Sequence, residues 1–227
     1  MNNINNVNTN PEITLWGLNI SPYVRKIIAA LEEKSLDYSL AETLPKSLLI
    51  VTNQEVANDF DQASPLGKIP ALQVGDYSVA DSAVIAAFLD GEYKSGNSLY
   101  PTQAKEKAKA MWFEKYADTV LSEVAYSKIF VERVVKPAML NMEADEAMIS
   151  KAIKDELPAH LDYLNLAASK NEWLAGNAFS MADIAVTTQL LALQMAGFDL
   201  EKANQWDALT KLMKTVMKRE SFTKIIA

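Results

Sequence analysis

Every stretch of this chain that reads as a β-strand lies before residue 81, and beyond Pro101 only helical periodicity remains. A chain divided in this way reads as an α/β domain followed by an all-helical one. At 227 residues it is long enough to bury about 70–75% of its unfolded surface, so neither part needs a covalent staple.

Within the first part, Ile13–Trp16 is a short buried strand and Gly17–Ile20 the turn that leaves it. Ser21 is a good N-cap, Pro22 suits the first helical position, and Val24, Ile27, Ile28 and Leu31 recur at i, i+3, i+4 and i+7. Asp37–Glu42 reads as a second strand, parallel to the first through a right-handed crossover. Pro45 separates it from a weak helical stretch near Ser47–Asp59. The breaker-rich loop Ser64–Pro70 leads into Ala71–Val74 and Tyr77–Ala80, a hairpin around Gly75-Asp76, and then into an apolar helix from Ala83 to Tyr93. The expected order is β-α-β-α-β-β-α over residues 13–93, after a loose tail at 1–12. A Ser-, Gly- and Asn-rich linker at 94–101 follows, and helices fill 102–227: Thr102–Val135, Ala144–Ala168 with a kink at Pro158, Ser180–Met195 and Asp207–Lys218.

Charge and cysteine content narrow the chemistry. With 22 basic against 29 acidic residues the net charge is −7, which argues against a general nucleic-acid binder, although a local basic patch is compatible with it. There is no Cys, so disulfides, protein-thiolate catalysis, thiolate metal ligation and iron–sulfur clusters are excluded. The first ten residues hold six Asn and no basic residue, unlike a secretory signal. The longest apolar run, Ala83–Leu89, is far below the roughly 18 residues that cross a bilayer. A cytoplasmic protein is expected, with no membrane and no nucleic-acid partner.

Three points in the α/β part carry polar groups where a ligand could meet them. Ser21 stands where the first strand meets a helix N-terminus, whose free N–H groups favour an anion such as a thiolate or phosphate; taken alone it is also simply a cap. Ile69-Pro70 opens a strand, a frequent place for a cis bond, which would turn the N–H and C=O of Ile69 toward an extended peptide. Asp81-Ser82 begins another helix, with an anion for an ammonium group and donors for a carboxylate. In the helical part, Ser180 and Asp183 stand as a capping box with Phe179 and Ile184 at staple positions, a folding role. His160, the single histidine, has no Cys or second His to share a metal, so no metal site is expected.

Ser21-Pro22-Tyr23-Val24-Arg25, Gly67-Lys68-Ile69-Pro70-Ala71-Leu72, Asp81-Ser82-Ala83-Val84-Ile85 and Ser180-Met181-Ala182-Asp183-Ile184 come in an order that resembles the cytosolic glutathione transferases, along almost all of residues 13–227. The resemblance implies a thioredoxin-like first domain and a helical second one, a homodimer, and glutathione as cosubstrate. It implies Ser21 as the catalytic residue, Ile69 as the backbone contact to the cysteinyl part, Asp81 and Ser82 as γ-glutamyl contacts, Lys68 near the glycyl carboxylate and Pro70 in a structural role. Trp112 and Tyr116, with Phe113 and Tyr126 on the same long helix, are expected to wall a pocket for a small hydrophobic electrophile. Tyr23 is expected to pack, with phenol donation to sulfur as its alternative. The implied activity is conjugation of glutathione to an apolar electrophile. Glutathione-dependent isomerisation or dehalogenation, or a binding module without turnover, are the alternatives.

Overall fold

The computed structural model describes residues 12–226, so the tail read at residues 1–12 lies outside it except for Glu12. The first elements are β1 (Ile13–Trp16), α1 (Pro22–Glu33), β2 (Ser39–Ala41), α2 (Lys46–Val51), α3 (Asn58–Ala63), β3 (Ala71–Val74), β4 (Tyr77–Ala80) and α4 (Ser82–Glu92). Four strands make one sheet in the order β2-β1-β3-β4, with β1 parallel to β2 and antiparallel to β3, and β3 antiparallel to β4. Ile13 and Leu15 alternate inward from β1 and bury in one core with Val24, Ile27, Ile28 and Leu31 of α1. This is a thioredoxin-like arrangement.

The weak helical stretch expected near Ser47–Asp59 is two helices, α2 and α3. Asn53, at φ 55°, takes the left-handed conformation that ends a helix and that Asn tolerates. The second expected strand is shortened to three residues, because only Ser39–Ala41 pair with β1.

The rest of the chain is a helical bundle: α5 (Ala104–Tyr116), α6 (Lys136–Leu140), α7 (Glu146–Lys151), α8 (Leu157–Ala168), α9 (Met181–Met195), α10 (Leu200–Ala203), α11 (Asp207–Met217) and α12 (Glu220–Ile226). Between α5 and α6 the backbone stays helical but widens into π-helix over Ala117–Leu121 and Glu123–Val135. A third π segment, Ala152–Glu156, joins α7 to α8 just ahead of Pro158. Proline has no N–H to close the i→i−4 ladder, so the expected kink takes this form. The short α10 and α12 were not expected.

α9 is the centre of the bundle, with every side chain from Met181 to Leu193 buried. Its start is fixed as the sequence suggests. Ser180 accepts from Ala182 N–H at 3.3 Å, and Asp183 accepts from the N–H of Ser180 at 3.0 Å and of Leu174 at 2.9 Å. α12 closes over α1 through Arg219, whose guanidinium donates twice to buried Glu33 at 2.7 and 2.8 Å, while Ser221 donates to the same carboxylate at 2.6 Å.

Candidate functional site

The sheet register sets Trp16 of β1 opposite Ala71 of β3, and Ala71 opposite Ala80 of β4. One end of the sheet therefore gathers the turn after Trp16, the peptide before Ala71 and the residues after Ala80. These are the segments that hold Ser21, Ile69 and Asp81-Ser82. Gly17 sits at φ +149°, where an added Cβ would press on Val24 at 2.5 Å and reach Ile69 at 3.4 Å. Glycine is thus what allows the turn to pass this close to Val24 of α1.

Ser21 is the N-cap of α1, with extended backbone (φ −72°, ψ 127°), and is buried. Its oxygen accepts from Val24 N–H at 3.5 Å, a long contact, and its proton has no acceptor among the described residues. The Ile69-Pro70 peptide is cis. Neither the N–H nor the C=O of Ile69 has a hydrogen-bond partner among the described residues. Pro70 is buried at the start of β3, and Lys68 is exposed, its carbonyl accepting from the Ser64 hydroxyl at 2.6 Å.

Asp81 is the N-cap of α4 at φ +78°, a left-handed conformation for a residue with a side chain. Such backbone costs of order 1–3 kcal/mol and persists where the surroundings impose it. One carboxylate oxygen, Oδ1, accepts from Ala83 N–H at 2.9 Å and Val84 N–H at 3.3 Å. The other is open to solvent, and Ser82 beside it is buried at the first helical position.

The helical bundle supplies the opposite wall. Tyr23 points across to it, donating to the Asp118 carbonyl at 3.2 Å and meeting Tyr126 edge-on at 5.6 Å. Burial, with Asp118 and Asp81 adding, raises its phenol above the ordinary value, so Tyr23 stays a neutral donor. Below it, the ammonium of Lys26, fully buried, meets Glu114 at 3.1 Å and Asp118 at 2.5 Å. Tyr100 donates to the other oxygen of Glu114 at 2.6 Å. Burial raises both carboxyls despite the ammonium between them, and for Asp118 the charge of Asp81 adds to the shift. Sequence reading missed this cluster. A lysine on the core face of α1 and two acids spaced i, i+4 on the next long helix were its only trace.

Trp112 and Tyr116, expected to wall an electrophile pocket, stand on the face of α5 turned toward α8. Each lies two residues from Glu114, about 200° around an α-helix, and so faces α8 instead of α1. Trp112 donates to Tyr163 at 2.7 Å and Tyr116 is bonded to His160 Nδ1 at 2.7 Å. Phe113 packs on Tyr163. Among the described residues no group of three or more His, Cys, Asp or Glu is placed to hold a metal, and no helix is long and apolar enough to cross a membrane.

The glutathione S-transferase N-terminal domain model matches residues 20–92 and the C-terminal domain model matches residues 124–220. Glutathione S-transferase 3 of Zea mays is 30% identical over 172 residues, which span 75% of this chain and 73% of the maize protein. The chain belongs to the glutathione S-transferase family. A glutathione S-transferase of Hyoscyamus muticus is 29% identical over 75% of this chain and 77% of its own. Among solved structures, apo glutathione S-transferase III superposes with a TM-score of 0.78 at 25% identity, covering 95% of both chains. Glutathione transferase F7 from Populus trichocarpa shares the fold, with a TM-score of 0.80 at 21% identity over 94% of this chain and 97% of its own.

Proposed function

We propose that this glutathione S-transferase binds glutathione at the sheet end that carries Ser21, Ile69 and Asp81-Ser82, and adds its thiolate to an apolar electrophile. The observation that supports this most directly is the convergence of three unpartnered features there. They are the hydroxyl proton of Ser21 at a helix N-terminus, the free N–H and C=O of Ile69, and the open carboxylate oxygen of Asp81 above Ser82. An extended peptide matches that order of groups. Ile69 pairs with the cysteinyl backbone, Ser82 donates to the γ-glutamyl carboxylate, Asp81 accepts from the ammonium, and Lys68 reaches the glycyl carboxylate.

On this reading the thiol, with an ordinary pKa of about 8.5, is held as thiolate by the Ser21 hydroxyl and the N-terminal amides of α1. Ser21 stabilises the anion and does not remove its proton. On the bundle side Tyr126 stands edge-on to Tyr23. A homodimer belongs to the same proposal, supported by an apolar face on which exposed Val84 and Tyr77 adjoin Phe88, across a groove from exposed Met111. We take the glutathione-binding domain as residues 13–93 and the helical domain as 102–227.

The deciding experiment is calorimetry with glutathione on wild type and on the Ser21 variants, followed by turnover with a panel of electrophiles. Ser21→Ala is expected to raise the pKa of the bound thiol and to lower kcat/KM by about 10- to 1000-fold, roughly 1.4–4 kcal/mol. It also loses about 1 kcal/mol of stability with the cap, whereas Ser21→Gly loses only a few tenths. A folded Ser21→Gly protein with full activity would remove Ser21 from the chemistry. Absence of glutathione binding by the wild type would remove the whole reading.

A further inference from the structure

At the far end of α1, about 18 Å of helix from Ser21, the linker between the two parts of the molecule folds over a cavity of about 450 Å³. The linker is fixed there by hydrogen bonds to the carbonyls at the end of α1. Ser95 donates to the Lys34 carbonyl at 2.9 Å and Asn97 N–H to the Glu33 carbonyl at 2.7 Å. Gly96, at φ +64°, lies so close that a Cβ would fall 2.3 Å from the Glu33 carbonyl oxygen. The cavity is therefore part of the folded architecture.

Its charged lining residues are Lys34, Lys94, Lys107 and Asp90, three cations against one anion in a chain of net charge −7. Lys34 is the unusual one. Its side chain is 3% exposed, yet its ammonium has no hydrogen bond among the described residues, and its one ion-pair contact is Asp90 at 3.7 Å. The fold covers the side chain while its ammonium opens onto the cavity, so that charge is left to be met from the cavity side. Asp90 Oδ1 is shared, accepting also from Leu99 N–H at 2.7 Å and from the Ser98 hydroxyl at 3.5 Å. Lys94 reaches the end carbonyl of α4 at Gly91, 2.7 Å away, and Lys107 on α5 is exposed with no ion pair among the described residues. The nearby acids are occupied elsewhere, Glu33 by Arg219 and Glu114 by Lys26.

The geometry points to this cavity as a second ligand site, one that takes the phosphate group of a small phosphate monoester. A dianionic phosphate supplies the acceptors that Lys34 lacks and balances the two excess cations. The hydroxyls of Ser98 and Thr102 at the rim add donors. The volume exceeds that of the anion alone and lies within the range of small-molecule sites, which leaves room for an organic part against Tyr100 and Pro101.

The test is a titration of the full chain with inorganic phosphate and, separately, with phenyl phosphate, at ionic strength held constant with chloride and with glutathione present at saturation. Binding is followed by backbone amide shifts. The expected result is saturable shifts at Gly96, Ser98 and Thr102, with little change at Ser21 or Ser82. Tighter binding of phenyl phosphate assigns the organic part to the cavity, and equal binding assigns the site to the free anion. Lys107→Glu, an exposed substitution, is expected to weaken either ligand about tenfold or more, as loss of a charged hydrogen bond does. Lys34→Met should abolish binding; if that variant does not fold, Lys94→Gln takes its place with an expected severalfold loss. The proposal is overturned if neither phosphate binds at millimolar concentration, if the shifts gather at Ser21 and Ser82, or if Lys107→Glu binds like wild type.

Discussion

On the proposed reading Asp81 holds two duties in one side chain. Oδ1 closes the first turn of α4, which leaves Oδ2 for the proposed ammonium. Substitution by Ala would confound them, since it strains a backbone at φ +78° and removes the cap together. Asn tolerates that backbone and still caps. Asp81→Asn is therefore expected to keep wild-type stability and kcat while raising KM for glutathione about tenfold, the loss of one charged hydrogen bond; steady-state kinetics with a thermal melt check both halves. Ser21, the cis Ile69-Pro70 bond and Asp81 were legible in the sequence because each is a local backbone event announced by its own residue types. The facing of Trp112 and Tyr116 toward α8 was not. Which way an aromatic faces depends on the rotation of its helix against two neighbours, and a helix with polar residues on every side, such as α5, gives no stripe to read it from.

Among the elements, α9 carries the bundle and Asp183 carries the start of α9. Its carboxylate serves buried N–H groups of Ser180 and Leu174, so Asp183→Ala leaves two donors unsatisfied and is expected to cost about 2–5 kcal/mol in urea unfolding. Burial raises its pKa to about 6 even against those bonds. A raised value means the folded state holds the proton more tightly, so this contribution to stability declines as pH rises from the unfolded value toward 6. Glu33 works in the opposite sense. Burial would raise it, but the bonds from Arg219, Ser221 and Asn97 outweigh burial and hold it below the ordinary carboxylate range. Its contribution is present above the unfolded value and is lost as pH falls through the lowered one. Arg219→Gln is accordingly expected to reduce stability at neutral pH by about 2–4 kcal/mol and to flatten the acid limb of the stability curve, measured by denaturant titrations across that limb. The capping box was plain from Ser180-Met181-Ala182-Asp183. α12 was not, because it is a short helix whose place is given by partners some 186 residues away.

For the molecule as a whole, the Lys26–Glu114–Asp118 cluster is the polar bolt between the α/β part and the bundle. Two carboxyls share one ammonium in the interior, and both are pushed up by burial. Lys26→Met keeps the side-chain volume but strands two buried acids, which is expected to cost about 3–5 kcal/mol at neutral pH. With no ammonium beside them both acids take up protons more readily, so the deficit should shrink as pH falls, a trend that thermal melts across the acid range would show. The two-part organisation itself was readable from where the strands stop. The bolt was not, since a lysine and two acids on helices ordinarily read as solvated charge and only the docking of the two parts buries them.

The clasp of Arg219 and Ser221 on Glu33 has a consequence for how the chain is made. Synthesis runs from the first residue onward and domains tend to fold as they emerge, so α1 can form and pack on the sheet early. Two of the three partners of its Glu33 carboxylate, Arg219 and Ser221, however, lie near the other end of the described chain. Until α12 has left the ribosome, the nascent first part holds an acid shaped for a guanidinium that does not yet exist. Chains truncated after α11 should therefore be open to protease at the end of α1, and chains that include α12 should be protected there.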